Sequence, residues 1–308
     1  MGTPQFAVPT LELLAESRFK PILVVTQPDK PQGRKQNIMP TAIKTSAHNL
    51  GIKCIQPDDI NDEEAVDIIR QADPAVIVTA AFGSYLKKPL RSLPLFGCLN
   101  LHPSLLPKYR GSSPINQALL NGDLFTGNTI FKIVARMDAG PVYLQNVIPI
   151  EKTDNYTLLH DKLALSGAKL MLEALEKLET SDIKPMEQDH SKASFCSKIE
   201  KEDLWLNWQN KAEKILNHVR SLSESPAAIT IFRSKRLKII ETEITENKSM
   251  PIPGSVVEVI KNSGILVSTQ DQDILIKRVQ PEGKKIMTAY DFHLGAQIKK
   301  GERFEERL

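Results

Sequence analysis

Cys98-Leu-Asn-Leu-His-Pro-Ser-Leu-Leu-Pro-Lys-Tyr-Arg-Gly111 is the stretch that decides how this chain is read. Its first residues alternate apolar and polar with the period of a strand, which puts Asn100 and His102 on one face, one pleat apart. Pro103 ends the ladder, because it has no N–H to give and its φ is fixed. Two polar side chains at the carboxyl end of a strand stand where open α/β sheets bind ligands. Two readings are open on these residues alone. One is a small carbonyl-handling site, with Asn100 as amide donor and His102 as donor or proton shuttle. The other is an N-cap Asn and a His satisfied by backbone.

The longer pattern narrows the choice. N-L-H-P-S-L-L-P-K-Y-R-G from Asn100 to Gly111, followed after a helix by Met137-Asp-Ala-Gly-Pro141, resembles the folate-dependent formyltransferases. The resemblance covers nearly the whole chain. It implies a catalytic group of Asn100, His102 and Asp138. It also implies 10-formyltetrahydrofolate as a co-substrate, with no tightly bound cofactor and no metal. The six His residues show no ligand spacing of their own. Ala81-Phe82-Gly83 matches the family's A-Y-G element beside the pterin site, with Phe in place of Tyr. Ser104, Leu105, Leu106 and Pro107 complete the folate contacts that the resemblance implies. On local sequence, Phe82 beside a glycine also reads as a turn and a plug, and Asp138 as the cap of a turn.

Composition sets independent bounds. With 308 residues the chain exceeds the usual single-domain size, so two domains are expected. Hydrophobic residues at 41% and charged residues at 25% are those of an ordinary globular protein. No apolar run approaches the roughly 20 residues that span a bilayer. No export signal is visible at the N-terminus, and a cytoplasmic protein is expected. Cys54, Cys98 and Cys196 are far apart and odd in number, which reads as free thiols in a reducing compartment. Residues 201–308 hold 18 Lys and Arg against 15 Asp and Glu, the whole of the net +3. Such a bias fits either a solvated basic face or a polyanion partner.

In chain order, residues 9–18 read as a helix buried along Leu11, Leu13 and Leu14, and residues 22–25 as a strand buried on both faces. Residues 26–40 are rich in Pro, Gly and charge and read as irregular. This loop resembles the T-Q-P-D-x-P-x-G-R loop of the formyltransferases that act on methionyl-tRNA, where it enters the acceptor arm. Arg34 and Lys35 are its tRNA contacts by that resemblance; Lys35 stands where the family has a second Gly. Helices are expected at 41–50, at 62–71 with an Asn61-Asp62 cap, and at 114–121. A long one is expected at 157–178, buried along Leu158, Leu159, Leu163, Leu165, Leu170, Leu172, Leu175 and Leu178. Strands are expected at 75–79, 129–134 and 142–150. After residue 211 a helix leads into five short strands, at 229–232, 237–243, 255–259, 265–268 and 274–279, which suggest a small barrel. Thr288 and Asp291 have capping-box spacing. The turn Glu224-Ser-Pro-Ala-Ala228 lacks the Trp that the family carries there.

The expected architecture is α/β: a Rossmann-like, mostly parallel sheet of the formyltransferase fold lacking its first strand, then a C-terminal β-barrel of OB-like type. Its domains are a catalytic domain at 1–185, a linker at 186–204 and a tRNA-binding barrel at 205–308. The family carries an apolar strand before its G-T-P turn, and here that turn is Gly2-Thr-Pro4. An apolar run of about five or six residues is therefore expected upstream of Met1. The function this implies is transfer of a formyl group to the amine of methionyl-initiator tRNA, by a monomer. Two alternatives stay open: a sugar-nucleotide N-formyltransferase, against which the 26–40 loop argues, and an inactive folate- or RNA-binding relative, against which the complete Asn100, His102 and Asp138 set argues.

Overall fold

Residues 1–32, 37–249 and 251–306 are described by a computed structural model. They form two compact units. The first is Met1–Pro114, Phe125–Pro149 and His160–Cys196; the second is Ile115–Leu124, Ile150–Leu159 and Ser197–Leu308.

In chain order the elements begin with α1 (Val8–Glu16), β1 (Val24–Val25), β2 (Lys30–Gln32), β3 (Asn37–Met39), α2 (Ala42–Asn49) and β4 (Cys54–Ile55). They continue through α3 (Glu63–Gln71), β5 (Ile77–Ala80), α4 (Lys88–Arg91), β6 (Cys98–His102), β7 (Arg110–Gly111) and α5 (Pro114–Leu120). Next come β8 (Phe125–Lys132), β9 (Val142–Pro149), α6 (Tyr156–Glu179) and β10 (Phe195–Cys196).

The apolar runs form the parallel part of the unit. β1 pairs parallel with β4, and β5 with β6. β6, β8 and β9 then continue antiparallel. Between β1 and β5 lie Met1 and Gly2. The Gly2 N–H donates to Val25 O at 3.1 Å, the Ala80 N–H to Met1 O at 3.0 Å, and the Met1 ammonium to Val78 O at 2.7 Å. Beside them an apolar cavity of about 280 Å3 is lined by Leu14, Phe19, Leu23, Val25, Val76 and Val78 among others.

Several local expectations are corrected. Residues 26–40 were expected to be irregular, yet β2 and β3 pair antiparallel, with Pro31 opposite Ile38. A two-stranded ribbon leaves one side of each strand unpaired, so the missing Pro N–H costs nothing there. Gly33, Arg34, Lys35 and Gln36 lie outside the described residues, so the tRNA contacts expected of Arg34 and Lys35 do too. Asp62 is the N-cap of α3 but its side chain makes no cap bond. Asn61 instead donates to Asp59 and Tyr85 and accepts from the Lys87 N–H. In α6, Leu158 and Leu165 are exposed; the buried stripe runs through Leu159, Leu163, Gly167, Leu170, Met171 and Ala174, which returns about every three to four residues. Thr41 caps α2 as an N-cap should, accepting the Lys44 N–H at 3.1 Å.

The second unit adds α7 (Ala212–Leu222), β11 (Ala228–Phe232), β12 (Lys235–Ile244), β13 (Val256–Ile260) and β14 (Gly264–Ser268). It ends with β15 (Asp273–Pro281), β16 (Met287–Thr288), α8 (Ala289–Ala296) and β17 (Phe304–Glu305). Its sheet is antiparallel in the order β13-β14-β15-β12-β11-β17, with β16 on β15, and curls into a half-barrel. Register shifts around Glu241 in β12 supply bulges, which bend a strand and increase its twist. The five strands expected here are present, and β16 and β17 join them. Trp208, Ile215, Val219, Leu222, Phe232 and Phe304 belong to the buried core of this unit. Trp208 Nε1 donates to Thr230 Oγ1 at 3.0 Å, so its one polar atom is satisfied inside the core. Thr288 accepts the Asp291 N–H at 3.0 Å and donates to its carboxylate at 2.6 Å, which closes the cap read from the sequence. Among the described residues no helix is long and apolar enough to cross a membrane.

Candidate active site

The site is built at the carboxyl ends of β5 and β6. Their parallel register places Thr79 beside Asn100 and Ala80 beside Leu101. Thr79 Oγ1 donates to Asn100 Oδ1 at 2.6 Å. That bond uses the amide oxygen and leaves the Nδ2 protons of Asn100 for something else. A Thr closing an otherwise apolar strand is the local sequence signal for this contact, and its partner is set by strand register.

His102 is buried, with 5% of its surface exposed. Its Nε2 lies 2.9 Å from the carbonyl oxygen of Tyr109. A carbonyl only accepts, so Nε2 carries a proton and Nδ1 is the nitrogen turned away from the backbone. Nδ1 faces Asp138 Oδ2 at 3.8 Å. Phe131 packs edge-on against the ring, with centroids 6.4 Å apart, and shields it from water. One ring nitrogen is thus satisfied by backbone, and the other is turned toward a carboxylate.

Asp138 projects from the loop between β8 and β9. Its φ is 48°, in the left-handed region that a non-glycine residue rarely adopts. Oδ2 accepts the Gly111 N–H at 2.8 Å, so the carboxylate ties its loop to β7. β7 in turn pairs parallel with β10. Gly111 has φ 120°, and a Cβ there would collide with the Cys196 carbonyl, so glycine is required. Gly140 is required as well, since its Cβ would strike the Lys132 carbonyl where the loop doubles back. Gln188 donates to the backbone carbonyls of Asp138 and Gly140 at 2.8 and 2.7 Å, and its Oε1 accepts from Arg110 Nη2 at 2.6 Å. Neither Gln188 nor Arg110 was picked out from the sequence. Gln188 lies where periodicity fades, and Arg110 was read only as part of a motif.

The segment after His102 is pinned to β8 and β9. Thr129 Oγ1 donates to Ser104 O at 2.6 Å and accepts the Leu106 N–H at 3.1 Å; Gln145 donates to Leu106 O at 2.8 Å. Ser104 is wholly buried and donates to Lys108 O at 2.6 Å, while Leu105 and Pro107 keep part of their surface. Leu106 is buried. After β5, Ala81 and Gly83 are exposed with positive φ, and the Phe82 side chain sits in the core with Val25, Ile60 and Leu86. Burial raises the Cys98 thiol to about 11 and raises the Cys196 thiol as well, so both stay protonated near neutral pH. No cluster of His, Cys, Asp and Glu able to hold a metal occurs among the described residues.

An imidazole and a carboxylate thus face one another beside the end of the strand that also carries Asn100. Such a set can stabilise an oxyanion and move a proton.

Residues 1–175 match the family described as formyl transferase, and residues 198–297 match the formyl transferase C-terminal domain. The methionyl-tRNA formyltransferase of Thermotoga maritima is 39% identical over 307 residues, covering 100% of this chain and 97% of its own length. That of Bacillus subtilis is 38% identical over 302 residues, covering 98% and 95%. The crystal structure of an N-formyltransferase from Helicobacter canadensis, in complex with folinic acid and dTDP-3-aminofucose, superposes with a TM-score of 0.66. It is 21% identical and covers 91% of this chain and 97% of its own, a likeness of fold.

Proposed function

The chain belongs to the formyl transferase family, and we propose that Asn100, His102 and Asp138 carry its chemistry. It is an enzyme that transfers the formyl group of 10-formyltetrahydrofolate to the amino group of methionyl-initiator tRNA, for translation initiation. The likeness to methionyl-tRNA formyltransferases extends over both units, which favours this acceptor over an amino-sugar nucleotide.

One observation carries the residue roles: His102 Nδ1 faces the Asp138 carboxylate at 3.8 Å, on the strand whose Asn100 keeps its amide protons unused among the described residues. The attacking amine forms a bond to the formyl carbon, and the carbonyl oxygen becomes an oxyanion. Asn100 Nδ2 donates to that oxygen and His102, protonated at Nδ1 beside Asp138, donates a second bond. Asp138 Oδ1 has no protein partner among the described residues, and through a water it takes the proton that the amine loses. The bond from the carbon to the folate nitrogen breaks, and that nitrogen takes up the same proton, returned from Asp138 through the water. The formyl carbon comes from the folate, so the residues' part is orientation and charge.

Ala81, Phe82, Gly83, Ser104, Leu105, Leu106 and Pro107 form the folate-binding surface in this reading, Phe82 through its backbone and its role as plug. Folate acts as a co-substrate that binds and leaves. Arg34 and Lys35 meet the tRNA. Catalysis belongs to residues 1–185, connection to 186–204 and tRNA binding to the barrel at 205–308. The enzyme works as a cytoplasmic monomer. The test is formyl transfer from 10-formyltetrahydrofolate to methionyl-tRNA, run beside an amino-sugar nucleotide: turnover with the tRNA alone supports the reading, and turnover with the sugar nucleotide alone contradicts it.

A further inference from the structure

We propose that Gln188 is a positioning residue for the formyl transfer: its amide, backed by the buried guanidinium of Arg110, holds Asp138 where it faces His102. The proposal rests on the roles assigned above to those two residues.

Both amide protons of Gln188 are spent on one loop. They go to the carbonyl oxygens of Asp138 and Gly140, which bracket the turn on which the catalytic carboxylate is mounted. Its Oε1 is also doubly used, accepting from Arg110 Nε at 3.2 Å and Nη2 at 2.6 Å. Gln188 is buried and Arg110 wholly so. No carboxylate pairs with the guanidinium among the described residues, and Nη2 turns instead to His190 Nδ1 at 2.8 Å. Burial and the nearby Arg136 lower the Arg110 pKa, against the opposing pull of Asp138. A cation placed on the oxygen of an amide polarises it, which strengthens the amide as a donor at its other end.

The loop needs such a hold. Asp138 occupies the left-handed region without being glycine, a conformation that persists only where neighbours determine it. Gln188 fixes its backbone from one side, and the Gly111 N–H fixes its side chain at 2.8 Å from the other. Arg110 and Gly111 are consecutive on β7, so one short strand supplies the Gly111 bond directly and the Gln188 bonds through Arg110. Only an amide fits between them, because it must accept from a guanidinium and donate to two carbonyls at once.

Gln188→Glu keeps the shape and the Arg110 partner while turning the donor end into an acceptor facing two carbonyls. We expect kcat to fall about 10- to 100-fold with the KM for 10-formyltetrahydrofolate and methionyl-tRNA within about twofold of wild type. Gln188→Met, which has neither donor nor acceptor, should show the same split, and retained folate binding confirms a folded site for each variant. In an Asp138→Asn background, Gln188→Glu should cost less than about twofold more, because it acts through Asp138. Wild-type kcat in Gln188→Glu, a fully multiplicative loss in the double variant, or a loss confined to KM overturns the proposal. Wild-type turnover in Asp138→Asn alone would instead remove the reading beneath it, and the proposal with it.

Discussion

Thr79 Oγ1 donates to Asn100 Oδ1 across 2.6 Å between two parallel strands, and this bond selects which end of the amide points onward. Without it the Asn100 side chain is free to flip its oxygen toward an incoming oxyanion. Thr79→Val keeps the β-branched shape and buried position while removing the donor. The expected result is a fall in kcat of about tenfold, the worth of one modest hydrogen bond, with Tm little changed. Steady-state formyl transfer and a thermal melt check it, and unchanged kcat would mean that the amide is oriented by other means.

In a polypeptide that starts at Met1, the amine gives a pH dependence. Burial lowers its pKa from 8.0 to about 6. Between these values the unfolded chain holds a proton that the folded chain does not, so stability rises with pH. The penalty is fully present below about 6 and gone above about 8, amounting to roughly 2–3 kcal/mol. An extension of about five β-branched residues before Met1 converts the amine to an amide and can fill the apolar cavity beside β1 and β5. We expect the extended form to have the higher Tm and to lose this part of the pH dependence. Equal melting curves at pH 6 and pH 8 for both forms would contradict it.

That Asn100 and His102 share a face was legible from the strand period, whereas Asp138, which the structure sets facing His102, was singled out only through the longer pattern. The buried strands were legible as short apolar runs. What escaped depends on distant partners. Thr79 matters through its register with Asn100, which no local pattern encodes. Gln188 is 78 residues from Arg110, and β10 pairs with β7 across a similar gap. The ribbon of β2 and β3 was hidden by its Pro and Gly content, since propensity is a weak guide where only one side of a strand is paired.

Recognition of tRNA is expected to depend on Arg34 and on the basic surplus after residue 200. Arg34→Ala should raise the KM for methionyl-tRNA about tenfold or more while leaving folate binding intact. Binding of tRNA should weaken steeply with salt as phosphate contacts release counterions. A fragment ending near residue 204 that bound tRNA as tightly as the whole chain would deny the barrel its part.

The most direct test of the account is single-turnover formyl transfer by Asn100→Ala, His102→Ala and Asp138→Ala, with folate binding measured on each. Each variant should bind 10-formyltetrahydrofolate yet transfer its formyl group to methionyl-tRNA at least about 10² times more slowly. The double variants should be little worse than the single ones, because the three side chains act on one oxyanion and one proton. Transfer by Asn100→Ala at the wild-type rate would contradict the account.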